Sequence, residues 1–103
     1  MAQGAELDLK DIVLSNSSFG PREIDELTSA ITEDFSRLST LRDAVAELEI
    51  REDRTPASAV RLGVCYFLLG RYERARETLE NSDGSALALY YLARTHAARD
   101  DHQ

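Results

Sequence analysis

Few side chains in this sequence are of types that do chemistry: one cysteine, two histidines and several runs of carboxylates. Cys65 lies inside the apolar run 62–69, where a thiol acts as a small hydrophobe. Neither His96 nor His102 stands at a spacing that makes it a base for that sulfur. The two histidines are six residues apart and do not share a helical face. Asp100, Asp101 and His102 are donors of the kind a divalent ion takes, but they read as a frayed acidic tail. Glu47, Glu49, Glu52 and Asp53 form a charge run of the solvated-face kind. There is no glycine-rich phosphate loop after a strand, no nucleophile elbow and no paired-carboxylate arrangement. The residues therefore predict a chain that is not an enzyme and carries no catalytic residue, no metal site and no cofactor.

Composition narrows the partners. Twelve basic against nineteen acidic side chains leave a net charge of −7, which repels phosphate backbones and removes the counterion-release term that drives nucleic-acid binding. A lone cysteine rules out an internal disulfide and a cysteine metal cage, and it fits a reducing compartment. Met1 to Lys10 lack a basic-then-apolar leader, and no stretch approaches the ~18 apolar residues of a membrane span. The expectation is a soluble, cytoplasmic protein that binds neither nucleic acid nor membrane. With 103 residues it has the length of one domain, which buries only a little over roughly 60% of its unfolded surface.

The elements that position these residues are all predicted helices. Ile24, Leu27, Ile31 and Phe35 recur at helical spacing behind Gly20-Pro21, a tolerable N-cap followed by proline at the first helical position. Phe19 and Ile24 are placed to form a hydrophobic staple, and Glu23 suits the positive end of the helix dipole. The stripe continues through Leu38, Leu41, Val45 and Leu48 almost in phase, so periodicity leaves open whether 21–52 is one helix or two. Ser36, Ser39 and Thr40 favour two, with Thr40 as the second cap and Asp43 reaching back.

Thr55-Pro56 is the strongest start signal, opening a helix to about Leu69. Gly70 permits a left-handed exit, and a helix with Tyr72, Ala75 and Leu79 follows until 81–84. The last helix, about 85–99, places Leu89, Leu92, Ala93 and His96 on one face while Leu87 and Tyr90 lie partly off it. Its first half is apolar nearly all round, as in helices that pack on two sides. The run 9–14 fits neither the helical nor the strand period well, and stands open between a short helix and an extended arm.

Self-similarity is present. Ile31, Leu62 and Leu92 are 31 and 30 residues apart; about the same shift relates Phe35, Tyr66 and His96, and Ala44 to Ala75. A helix–turn–helix unit thus recurs about every 30 residues. In the middle unit, 56–84, Leu62-Gly63, Tyr66, Gly70, Tyr72 and Ala75 stand in the order and spacing of a known signature, and the unit resembles the tetratricopeptide repeat (TPR). The spacing has physical reasons: Gly63 lets neighbouring helices approach, Tyr66 packs between the helices of a pair, and Ala75 sits where they cross.

Departures from the signature are plain. Ala59 replaces the usual large residue, Ser82 the second alanine of the second helix, and no proline closes the unit near Asp83 and Gly84. The unit is also shorter than the usual length of about 34 residues. Upstream, Thr32 stands where glycine is expected, and downstream Ala93 replaces glycine. The likeness covers about 24–103.

What the resemblance implies is an all-α fold of antiparallel helix–turn–helix repeats stacked as a short α-solenoid, with 1–20 an N-terminal arm or short helix and 21–103 the repeat domain. Because the sequence stops where another second helix would begin, the expectation is the N-terminal part of a longer array. The implied function is a non-catalytic scaffold that binds another protein or a peptide in a concave groove. The positions that face such a groove are Val60 and Val64, with Phe67 a turn further on, then Tyr90 and Arg94, and upstream Ser29 and Glu33. Against this, Val60, Val64 and Phe67 also read as ordinary core covered by the N-terminal segment, with 9–14 as a removable cover. Groove positions holding valine, arginine and tyrosine, not lysine and asparagine, argue against a clamp for a terminal carboxylate. The alternative function is self-association as a homodimer through the exposed face of the last helix.

Overall fold

The computed structural model describes residues 9–14, 19–51 and 55–100, the side chain of Asp100 excepted. Asp101 and His102 fall outside the described residues. Every regular element among the described residues is an α-helix. In chain order these are α1 (9–14), α2 (Pro21–Glu33), α3 (Arg37–Glu49), α4 (Pro56–Leu68), α5 (Tyr72–Glu80) and α6 (Ala86–Asp100). They fall into two compact units, Met1–Ile50 and Arg51–Gln103.

In the first unit, 9–14 resolves as a helix. Leu9 and Val13, four residues apart on one face, are buried, and Lys10 reaches Glu47 of α3 at 2.9 Å. α2 starts where Gly20-Pro21 predicts, with the Gly20 N–H donating to Glu23 Oε1 at 2.9 Å, the half of a capping box that a glycine can make. Its buried face is Ile24, Leu27 and Ile31.

Residues 21–52 form two helices, but the break lies earlier than Thr40. Asp34 Oδ1 accepts from both the Ser36 N–H (3.0 Å) and the Ser36 hydroxyl (2.7 Å), and Arg37 Nη1 donates to the Ala30 carbonyl at 2.9 Å. This local carboxylate turn ends α2 at Glu33 and makes Ser36 the residue before α3, so Thr40 is an interior position and not a cap. The same bonds hold the Asp34 carboxyl below its usual range. Phe35 therefore leaves the helical stripe: it sits in the turn and is 71% exposed. α3 buries Leu41, Ala44, Val45 and Leu48.

In the second unit, Thr55 caps α4 as expected. Its Oγ1 accepts from the Ser58 N–H (3.1 Å), and Ser58 Oγ accepts from the Thr55 N–H (2.9 Å). α4 is buried on most of its circumference through Val60 and 62–66. It ends in a Schellman turn: Gly70 has φ +79°, its N–H donates to the Phe67 carbonyl (3.0 Å), and the Arg71 N–H reaches the Tyr66 carbonyl (2.9 Å).

α4 then packs along α5, and α5 along α6, with a smaller α4–α6 contact. At the α4–α5 crossing Ala75 is fully buried, and a Cβ built on Gly63 would lie 2.6 Å from Leu79 Cγ and 2.7 Å from its Cδ2. α5 and α6 are tied by Arg99 to Glu73 (2.9 Å), and Arg76 joins the same carboxylate and Glu80. The Arg76 hydrogen bond, then the Arg76 and Arg99 charges, hold the Glu73 carboxyl below its usual range.

Gly63→Ala is expected to destabilise the chain by up to about 2 kcal/mol, the ~1–3 kcal/mol cost of overpacking less the ~1 kcal/mol gained from helix propensity. Urea unfolding of G63A, L79A and the double variant checks this. The double variant should lose less than the sum of the singles, since truncating Leu79 makes room for the new methyl group.

Candidate protein-interaction surfaces

α6 turns a different face inward from the one its sequence suggests. Ala88, Tyr91 and Thr95 are buried, Leu92 is half-buried, and Ala93 and His96 are exposed together with Leu89 (59%) and Tyr90 (57%). The helix carries apolar residues nearly all round, so no stripe in its sequence singles out one face. The identity of the neighbouring α5 and α4 decides it. Thr95 tolerates burial because its hydroxyl donates to the Tyr91 carbonyl at 2.7 Å. His96, aligned with Tyr66 by the repeat, therefore does not take a packing role.

Of the implied groove positions, Val60 and Val64 are buried, Val64 completely, so in this conformation they belong to the core and offer no surface. Phe67, Tyr90 and Arg94 do come together. The Arg94 guanidinium lies over the rings of Phe67 (5.0 Å), Tyr91 (5.5 Å) and Tyr90 (5.8 Å). Phe67 meets Tyr91 edge-on at 5.6 Å and Tyr72 at 5.7 Å, and Tyr90 meets Tyr91 at 5.1 Å. The result is a mutually braced cluster of four rings and one cation on α4, α5 and α6, each cation–π contact worth roughly 0.5–1 kcal/mol. Tyr91 and Tyr72 complete it. The repeat spacing assigned Tyr72 a signature role only and passed over Tyr91, whose sole sequence signal is its adjacency to Tyr90.

The signature residues of the middle unit all lie in α4, α5 and the turn between them. Leu62, Gly63 and Tyr66 are buried on α4, Gly70 makes the turn, Tyr72 opens α5, and Ala75 lies in the crossing. Cys65 is fully enclosed, and burial pushes its thiol up to about 12, against a small opposing pull from the Arg61 charge. A buried, protonated thiol lacks the thiolate that attacks substrates or binds metals at neutral pH. Among the described residues no group of three or more His, Cys, Asp or Glu side chains is arranged to hold a metal ion. None of the described helices is long and apolar enough to cross a membrane.

The first unit carries an open groove of about 400 Å³. Its lining combines Leu9 and Ile12 of α1 with Ser29, Ala30 and Glu33 of α2, and Asp25, Glu26 and Arg37 also border it. Ser29 and Glu33 line this groove between α1 and α2, which is not the concave groove that the resemblance implies, since neither Val60 nor Val64 borders it. No family model matches this chain, and neither a curated protein nor a solved structure does.

Cys65 supplies a test. Its folded pKa of about 12 lies above the unfolded value of ~8.5, so the stability it contributes is full below ~8.5 and is lost as pH rises towards 12. The denaturation midpoint should fall with alkalinity less steeply in Cys65→Ala than in the native chain. A thiol-reactive dye at neutral pH should label the native protein roughly two orders of magnitude more slowly than the unfolded one, since labelling needs an opening fluctuation.

Proposed function

We propose that this chain is a non-catalytic protein–protein interaction module, a short tetratricopeptide-like stack of helix pairs that holds a peptide or partner helix against its second unit. The observation that carries this is the grouping of Phe67, Tyr90, Tyr91 and Arg94, with Tyr90 57% exposed at its edge. Tyrosine, phenylalanine and arginine are the side chains enriched where partners bind most strongly. Here their mutual stacking lowers the ordering entropy that a partner would otherwise have to overcome. The thin α4–α5 crossing at Gly63 and Ala75 and the Gly70 turn support the repeat-type geometry that the signature implies. A single buried cysteine fits a reducing, cytoplasmic setting for the same role.

A second use of the same helix is favoured by one observation. Leu89 is 59% exposed and continues along α6 into the exposed Ala93 and Ala97, a stripe at helical spacing that a second copy of the chain would cover.

Two measurements test these. Peptides selected from a displayed random library on the full chain should lose affinity at least about tenfold when Tyr90 or Arg94 is changed to alanine, as truncation of a binding anchor does. The helical circular dichroism should not change. Selected peptides that bind both variants undiminished would overturn the proposal for this surface. In light scattering over a concentration series, a dimer abolished by Leu89→Glu would establish self-association through α6.

A further inference from the structure

The chain's charge is unevenly divided. Residues 1–50 carry eleven acidic and four basic side chains, the whole of the net −7, whereas 51–103 balance eight against eight. Three of these acidic side chains, Asp25, Glu26 and Glu33, border the first-unit groove around Leu9, Ile12 and Ala30. Arg37 also lines the groove and donates to the neutral Ala30 carbonyl (2.9 Å), and Arg22 lies 3.7 Å from Glu26, so the lining holds three carboxylates against one guanidinium. Among the described residues Asp25 and Glu33 have no ion-pair partner.

We infer that this groove is a second docking site, distinct from the aromatic cluster of α4–α6, and that its occupant is a basic amphipathic helix from a partner protein. Apolar floor and carboxylate rim together select both properties. A purely apolar segment would leave the carboxylates desolvated without a counter-charge, and a purely basic one would not cover the half-buried Ile12 and Ala30.

The geometry of α2 sets the register. Glu26 and Glu33 are seven residues apart, two turns or about 10.5 Å along the axis, and the small Ala30 stands between them. An adjacent helix therefore matches when it bears Lys or Arg at positions i and i+7 and a large apolar residue at i+3 or i+4. The groove's volume of about 400 Å³ suits insertion of one or two such apolar side chains and not a whole domain. Because the rim charges are exposed, the attraction is of the steering and specificity kind and is screened by salt.

The test uses the full chain and a fluorescent helical peptide of about 15 residues, with Lys at i and i+7, Leu at i+3 and i+4, and Ala and Gln elsewhere. A second peptide has Glu in place of both Lys, and a third has the two Lys moved out of register. The first should bind at least about tenfold more tightly than either of the others, a difference of 1.4 kcal/mol, and should weaken as ionic strength rises.

The variant Asp25→Asn, Glu26→Gln, Glu33→Gln changes only exposed side chains and should erase that preference, while Asp25→Lys with Glu33→Lys should reverse it towards the Glu peptide. Arg94→Ala should leave it unchanged, which separates this site from the α6 surface. Equal binding of the Lys and Glu peptides, or a preference surviving the triple variant, would overturn the inference. So would a homodimer that the triple variant dissociates, because the groove would then be a contact between copies.

Discussion

The crossing of α4 and α5 leaves no room for a side chain at Gly63: Leu79 occupies the place where its Cβ would stand. Close approach of two helix backbones is obtained only where one of them has no side chain, and the rest of the second unit is arranged around that point. With Ala75 also in the crossing, α4 can be buried on most sides, which encloses Cys65 and Val64 and suppresses the thiol's acidity. The Gly70 turn delivers α5 into this position while satisfying the Tyr66 and Phe67 carbonyls at the end of α4. α5 in turn carries Glu73, which holds α6 through Arg99. The rotation of α6 then decides which aromatic side chains are shared with α4.

That rotation separates two roles within one short segment. Tyr91 goes inward and joins Phe67, while its neighbour Tyr90 stays exposed with Leu89. Arg94 lies across both tyrosines and Phe67, so the surface is apolar yet fixed by a cation. The first unit offers the opposite kind of surface, an acidic groove with an apolar floor. One chain therefore presents two chemically unlike surfaces, one aromatic and arginine-bearing, the other carboxylate-rimmed.

Local signals in the sequence were accurate wherever the determining atoms lie within a few residues. Gly20-Pro21, Thr55-Pro56 and Gly70 set helix ends through bonds to residues at most five positions away. The close approach at Gly63 was also legible, since a glycine within an apolar helix has few other uses. The second cap was misplaced because Thr40 and Ser36 are both competent, and the choice fell to the carboxylate of Asp34, which reaches Ser36 and not Thr40. Phe35 was lost from the core for the same reason: the turn took it out of phase.

The sequence by itself determined an all-helical chain, its helix boundaries to within a few residues, the enclosed character of Cys65 and the thin point at Gly63, because these follow from propensity, capping and side-chain volume. Only the tertiary structure decided that Ala88, Tyr91 and Thr95 and not Leu92, Ala93 and His96 face inward, that Val60 and Val64 are core, and that Ser29 and Glu33 share a groove with Leu9 and Ile12. A helix with apolar residues on every side has no preferred face until its neighbours are in place. Grooves are made by pairs of helices, and no spacing within one of them records where the other will lie.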